Sequence, residues 1–206
     1  MVESFFTIKE NVNNVEIIEK KSKFIANLLK VDSEEDALNK LANIKKKERN
    51  ANHNVFAFRI VNGIEKFSDD GEPSGTAGVP ILDILRGEKL QNVLLVVTRY
   101  FGGTLLGTGG LVRAYSTAAK NAICDSKKVE MKLCDEYDIF VDYNYHDILL
   151  HFFKGELIKI KDTDFKDKVH FCIIVENSRS QKIIDNIIEK TDRTATVSIK
   201  ETYYHA

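Results

Sequence analysis

The sequence predicts a two-domain α+β protein, and three observations lead to this prediction. Apolar residues recur with a period of two in some segments, as in strands, and at three- to four-residue spacing in others, as in amphipathic helices. Nine of the 11 glycines and both prolines fall between Gly71 and Gly110. Residues 1–130 carry 19 Lys and Arg against 17 Asp and Glu, whereas residues 131–206 carry 11 against 14. We therefore expect one domain over residues 1–130 and a second over residues 131–206.

The first domain is predicted to open with strands over residues 7–10, 15–20 and 23–31. Asp32 or Ser33 is expected to cap a helix running to about Lys47, because acidic residues fill its first turn and lysines its last. Further along, the pattern predicts strands at 55–61 and 93–97, a short helix at 81–85 and a long helix at 107–126. One side of the long helix is apolar: Leu111, Tyr115, Ala118 and Ala122.

The second domain has a clearer order of elements. A strand at 132–143 precedes a helix at 146–154, strands at 157–161 and 169–176, a helix to Lys190 capped by Ser178, and a last strand at 194–204. The order is β-α-β-β-α-β, which is the split βαβ arrangement of ferredoxin-like domains.

Composition and charge argue against several classes of function. The chain is 43% hydrophobic and 30% charged, with a net charge of -1, so no global field attracts nucleic acid or an anionic membrane. No signal-peptide pattern is present, and no apolar run is longer than the five residues at 93–97, which is too short to span a membrane. We expect Cys124, Cys134 and Cys172 to be small buried side chains in a reducing cytoplasm. We expect no metal ion and no cofactor.

Residues 68–78 (SDDGEPSGTAG) form the first candidate site. Its polar side chains are Asp69, Asp70, Glu72, Ser74 and Thr76. Glycines in this segment allow positive φ values and the close approach of a ligand. Two interpretations stay open. The segment is either a tight acidic turn whose hydroxyls cap the helix at Pro80, or a site with the two aspartates as catalytic groups and the other side chains as binding groups.

Residues 98–113 (TRYFGGTLLGTGGLVR) form the second candidate, which leaves a buried strand and enters a helix. Amides at the helix start favour an anion, arginines can grip phosphate or carboxylate, and the aromatic rings can stack on a base. The predicted binding residues are Arg99, Tyr100, Phe101, Gly102, Gly103, Thr104, Gly107 and Arg113. A Walker ending and a GxGxxG fingerprint are both absent, which argues against ATP and dinucleotides. The alternative is that the glycines only let the helix pack tightly on the sheet.

His53 is the third candidate, because it lies among polar residues at the start of a predicted strand. If it faces the acidic segment, it can act as a general base or form an Asp–His pair. Otherwise it is a structural histidine. The best local positive patch is the helix end at residues 45–47 with Arg49, which is either a solvated face or a contact to a nucleic-acid backbone.

Four segments closely resemble the signature of the YigZ/IMPACT family. The two longest are FSDDGEPSGTAGVPILDIL at residues 67–85 and VVTRYFGGTLLGTGGLVRAYS at 96–116. The others are KKSKFIA at 20–26 and NHNVFAFR at 52–59. With the second domain included, the resemblance covers essentially the whole chain, in the bacterial YigZ-like layout.

The resemblance implies a fold and a field of action. The first domain should look like the second domain of a small-subunit ribosomal protein, and the second like the ferredoxin-like last domain of elongation factor G. Eukaryotic IMPACT relatives regulate translation under amino-acid stress, with an added domain that this chain lacks. The chain departs from the family pattern at Asn52, at Val55 where many members have cysteine, and at the turn Asp192-Arg193, which lacks an expected glycine.

Two main functions follow as expectations. The leading one is a translation-linked regulatory protein that contacts RNA, the ribosome or a translation factor. The alternative is an enzyme for a small anionic or phosphorylated substrate, in which His53 with Asp69 or Asp70 transfers protons and Arg99, Arg113 and the loop amides hold the anion. A third possibility is a regulator that binds only proteins.

Overall fold

The computed structural model describes residues 2–206, and its fold is a mixed α+β architecture with antiparallel sheets. The chain divides into two compact units, Phe5–Glu130 and Met131–Ala206 with residues 2–4. The strands are β1 (Ser4–Ile8), β2 (Val12–Glu19), β3 (Ser22–Lys30), β4 (His53–Ile60), β5 (Ile64–Ser68), β6 (Val93–Tyr100), β7 (Lys128–Val141), β8 (Lys159–Phe165), β9 (Val169–Glu176) and β10 (Thr196–His205). The helices are α1 (Glu34–Lys47), α2 (Gly78–Gly87), α3 (Thr108–Cys124), α4 (His146–Gly155) and α5 (Asn177–Lys190).

The first unit is built on a five-stranded sheet in the order β2-β3-β6-β4-β5. Successive side chains of a strand point to opposite faces, so each strand contributes to two cores. One face packs residues such as Phe24, Ala57 and Leu95 against α2 and α3. The other face packs residues such as Phe58 and Leu94 against α1. The central strand β6 is buried on both sides, as its apolar run predicts.

The predicted helix faces are confirmed. Ser33 caps α1, because its Oγ accepts a hydrogen bond from the amide of Asp36 at 3.1 Å. The apolar side of α3 is buried along its length: Leu111, Tyr115, Ala118 and Ala122.

The second unit has the order β7-α4-β8-β9-α5-β10, and its four main strands lie in the sheet order β10-β7-β9-β8. All three pairings between them are antiparallel. Its separate core includes Ile139, Phe153, Phe171 and Ile183. The turn before β10 places Asp192 and Arg193 at φ values of 49° and 62°, which is the conformation for which a glycine was expected.

Several local predictions are wrong. The strand β5 was not predicted, because its short, partly charged sequence shows little alternation. The Ser178 cap is absent, since α5 begins at Asn177 without a side-chain cap. Cys124 is exposed, whereas Cys134 and Cys172 are buried. The exposure of Cys124 follows from its position at the end of α3.

Candidate binding site

The loop after β6 is fixed against the turn between β2 and β3. A Cβ atom added to Gly102 would lie 2.0 Å from the backbone of Lys21, so only glycine fits this approach. The amide of Gly102 donates to Ser22 Oγ at 3.2 Å, and the amide of Phe101 donates to Asn52 Oδ1 at 2.8 Å. These contacts hold the backbone of Phe101 while 45% of the residue's surface stays exposed.

Asp69 organises the acidic loop through its carboxylate. One oxygen accepts from the amides of Ala77 and Gly78 at 3.0 and 2.8 Å, and the other accepts from the amide of Gly75 at 2.9 Å. The first two amides belong to the start of α2, which has no cap from Ala77 itself. The expected hydroxyl cap is therefore wrong: Asp69 caps α2 from nine residues away, and the hydroxyl of Thr76 donates to the carbonyl of Pro73.

Asp70 joins the loop to β4 and α1. Its carboxylate accepts from the amide of Asn54 at 2.7 Å and from Lys45 Nζ at 2.6 Å. Its backbone carbonyl lies 2.9 Å from His53 Nδ1. Because a carbonyl only accepts, Nδ1 of His53 carries a proton. In the neutral imidazole the lone pair is then on Nε2, which lies 3.8 Å from Glu72 Oε1.

A buried ion pair connects the two glycine-rich loops. Arg99 Nη1 donates to Glu72 Oε1 at 2.7 Å, and Tyr115 Oη donates to the same oxygen at 2.7 Å. The side chains of Arg99 and Glu72 are only 6% and 3% exposed. Burial, followed by the hydrogen bond to Glu72, raises the pKa of Tyr115. The Arg99 guanidinium also lies between the rings of Phe24 and Phe101, 5.4 and 5.6 Å from their centroids.

A pocket of about 430 Å³ opens above this ion pair. This volume is in the range of small-molecule sites. Its polar lining is Asn52, His53, Glu72, Arg99 and Thr108, and its less polar lining is Pro73, Phe101, Leu105, Leu106, Gly107 and Leu111. The helix α3 begins at this wall after Gly107, which has a φ of 72° and provides no side-chain cap.

The structure brings five of the predicted residues together at the pocket: His53, Glu72, Arg99, Phe101 and Gly107. Asp69 and Asp70 do not line it, and their carboxylates hold the acidic loop. Ser74 and Thr104 are exposed and do not line it. Tyr100 donates to Glu48 at 2.6 Å, and this hydrogen bond raises the pKa of Tyr100. Arg113 is exposed on α3 and has no hydrogen bond or ion pair within residues 2–206.

The sequence did not lead us to the role of Tyr115 as a hydrogen-bond donor to Glu72, or to the apolar rim of Leu105 and Leu106. A signal for Tyr115 was present, because a tyrosine inside the apolar stripe of a helix needs a partner for its hydroxyl. The rim gave no such signal, since single leucines in a loop are common.

Two further kinds of site are absent from the part of the chain that is described. None of its helices is long and apolar enough to cross a membrane. No three His, Cys, Asp or Glu side chains among residues 2–206 are grouped to hold a metal ion.

Fold and site together define an α+β protein of two units, with a ligand-sized pocket where two glycine-rich loops of the first unit meet. The family model described as the Impact N-terminal domain matches residues 20–123, which include both loops. The chain belongs to the IMPACT family.

Two relatives and one solved structure illustrate the similarity. IMPACT family member YvyE of Bacillus subtilis (strain 168) is 35% identical over 99% of this chain and 94% of its own length. IMPACT family member YigZ of Escherichia coli (strain K12) is 37% identical over 61% of this chain and 63% of its own length. A crystal structure described as that of a hypothetical protein is 27% identical, covers 98% of this chain and 99% of its own, and has a TM-score of 0.65.

Proposed function

We propose that this protein is a translation-linked regulatory protein of the cytoplasm, which binds RNA, the ribosome or a translation factor through the pocket face of its first unit. Membership of the IMPACT family supports the link to translation, because eukaryotic relatives regulate this process. Two fold analogies belong to the same proposal: a first domain like the second domain of a small-subunit ribosomal protein, and a ferredoxin-like second domain like the last domain of elongation factor G. The strand order β10-β7-β9-β8 with two crossing helices supports the second analogy.

The observation that carries this proposal is the exposure of two apolar side chains at the pocket, Leu105 and Phe101. Leu105 is 84% exposed and Phe101 is 45% exposed, and hydrogen bonds hold the backbone of Phe101 and Gly102. Because the close approach of Gly102 to Lys21 and Ser22 holds this backbone, the Phe101 ring is presented at little cost in conformational entropy when a partner binds. Aromatic side chains, phenylalanine among them, are enriched in the cores of protein–protein interfaces.

Co-sedimentation tests this function. The full chain is centrifuged with ribosomes, with total RNA and with purified translation factors, beside the double variant Phe101→Ala/Leu105→Ala. The matched control is Leu38→Ala, since Leu38 is an exposed apolar residue of α1, on the opposite face of the sheet. We expect binding by the wild type and the control and loss of at least tenfold in the double variant. Equal binding by all three, or no binding to any of these partners, would contradict the proposal.

An enzyme is the second candidate function, and His53 is the observation that favours it. The Asp70 carbonyl holds the imidazole so that Nε2, the basic nitrogen, lies at the pocket beside Glu72. This is the arrangement required of a general base. Asp69 and Asp70 would support the loop rather than transfer protons, and the free amides at the start of α3 would hold a small anion. His53→Ala would then abolish turnover of a bound substrate while leaving its affinity nearly unchanged.

A further inference from the structure

We infer that the pocket binds a single unstacked nucleobase with a guanine-type edge, in which two adjacent N–H donors lie beside a carbonyl. This inference rests on the proposed function, since it names RNA among the partners considered there. It depends on the hydrogen-bonding groups that the pocket leaves unused and on the net charge of the Arg99–Glu72 ion pair beneath it.

Glu72 provides the first acceptor. Both of its hydrogen bonds, from Arg99 and from Tyr115, go to Oε1. Within residues 2–206, Oε2 of Glu72 has no hydrogen-bond partner, although the side chain is only 3% exposed and lines the pocket. This oxygen is an unused acceptor at the pocket, and a hydrogen bond to a charged group contributes more than one between neutral groups, so a ligand that donates a hydrogen bond there is stabilised.

His53 and Asn52 provide the other hydrogen-bonding groups on the polar side of the pocket. Nδ1 of His53 donates to the Asp70 carbonyl, so Nε2 of the neutral ring is a second acceptor beside Glu72. The Asn52 oxygen accepts from the amide of Phe101, which orients the side-chain NH2 group as a free donor. The pocket therefore offers two acceptors and one donor along its polar side.

The ion pair beneath the pocket carries no net charge, and this favours an uncharged ligand. Arg99 and Glu72 neutralise each other at 2.7 Å in a buried position. Within residues 2–206, Nε of Arg99 has no hydrogen-bond partner, but Glu72 balances the charge of the guanidinium, so a phosphate in the pocket would approach a carboxylate as well as an arginine. The less polar wall of Phe101, Leu106 and Leu111 instead suits the face of a flat heteroaromatic ring.

Among the four bases, only guanine has two neighbouring donors beside a carbonyl on its pairing edge. Its N1–H and N2–H2 groups match the acceptors on His53 and Glu72, and its O6 matches the Asn52 amide. Adenine, cytosine and uracil each have a single donor group on that edge. Proteins that recognise RNA sequence read such edges on unstacked bases.

Isothermal titration calorimetry of the full chain with four nucleosides tests this inference. We expect guanosine to bind, and inosine, which lacks the N2 amino group, to bind about tenfold more weakly or less, because a hydrogen bond to a charged group is lost. Adenosine and uridine should bind more weakly still. The guanosine affinity should not change between low and high salt, since no phosphate takes part. Equal affinity for guanosine and inosine, or no guanosine binding at millimolar concentration, would overturn the assignment.

Variants of the full chain separate binding from folding. Phe101→Ala removes an exposed ring and should weaken guanosine and inosine by the same factor, whereas Leu38→Ala should change neither. Glu72→Gln should reduce the preference for guanosine over inosine, and circular dichroism shows whether this buried variant still folds. If it does not fold, the Phe101→Ala and inosine comparisons decide the question alone. Guanosine affinity unaffected by Phe101→Ala would also overturn the assignment.

The same reagents distinguish this inference from the proposed function. Ribosome or factor binding that depends on Phe101, without any guanosine binding, would leave the proposed function standing. It would show that the pocket face binds its partner by contacts other than a guanine base. If neither the co-sedimentation nor the nucleoside titration shows binding, both the proposed function and this inference are contradicted.

Discussion

At the scale of single residues, the ion pair of Arg99 with Glu72 sets the properties of the site. Glu72 neutralises the arginine that the sequence analysis predicted would bind an anion. The pair also joins two segments that lie 27 residues apart in the chain. A buried ion pair of this kind adds little net stability against an apolar pair, but breaking it leaves a buried charge without a partner.

Arg99→Met should therefore destabilise the protein by about 3–5 kcal/mol, because Glu72 stays buried. The matched control is Arg113→Met, which removes the same charge from an exposed side chain without a hydrogen bond or ion pair in residues 2–206. That change should stay within about 0.5 kcal/mol. Urea unfolding followed by circular dichroism measures both, and similar losses in the two variants would contradict a structural role for the pair.

Gly102 sets the position of the loop. Gly102→Ala should destabilise the protein by about 1–3 kcal/mol, because its Cβ would lie 2.0 Å from the Lys21 backbone and that backbone must move. Gly109→Ala is the control, since its Cβ would meet no atom within 4 Å, and it should be neutral or stabilise α3 by up to about 1 kcal/mol. The same loss in both variants in thermal unfolding would show that the close approach is unimportant.

At the scale of elements, the start of α2 depends on a side chain from outside the helix. Asp69→Ala removes three hydrogen bonds to amides, two of them at this helix start. We expect a loss of about 1–2 kcal/mol, with the Ala77–Gly78 amides exchanging faster with solvent. Asp69→Asn should recover part of this stability. Hydrogen exchange that is unchanged at residues 77 and 78 in the alanine variant would contradict the capping role.

An element can be predicted from the sequence when the interactions that form it join residues close together in the chain. The cap of α1 and the buried face of α3 depend on spacing within the helix, which the sequence contains, and both were predicted. The cap of α2 depends on Asp69, and β5 depends on pairing with β4, so short windows of sequence do not reveal either. For the candidate site, glycine and charge patterns indicated both loops, and their role stays a prediction. The contacts of Glu72 with Arg99 and Tyr115 cross 27 and 43 residues, and no local pattern predicts them.

Glu136 on β7 links the strands of the second unit and predicts a pH dependence. Its side chain is 1% exposed and accepts from Lys161, Lys200, Tyr203 and Cys172. The hydrogen bond from Lys161, with smaller contributions from its other partners, lowers the pKa of Glu136 to about 2. Because the folded pKa is below the unfolded value of about 4.3, its contribution is complete above that value and is lost as the pH falls toward 2.

Glu136→Gln should thus destabilise the protein by roughly 2–3 kcal/mol at pH 7, since the ionised carboxylate no longer binds the lysines. The difference from the wild type should shrink steadily below about pH 4. Calorimetric melting at pH 7, 4 and 3 measures it, with Glu201→Gln on the same sheet as an exposed control. A difference that is constant over this range would show that ionisation of Glu136 does not stabilise the fold.

At the scale of the whole molecule, each unit contains its own hydrophobic core, and this division can be tested with the same variants. Two core clusters lie in the unit Phe5–Glu130, and a third lies in the unit that contains Met131–Ala206. Residues that share one core unfold together as a cooperative unit. Because each unit has its own core, we expect two transitions in calorimetry. Arg99→Met should lower the midpoint of one transition and Glu136→Gln that of the other. A single transition that both substitutions shift equally would mean that the two cores unfold as one cooperative body.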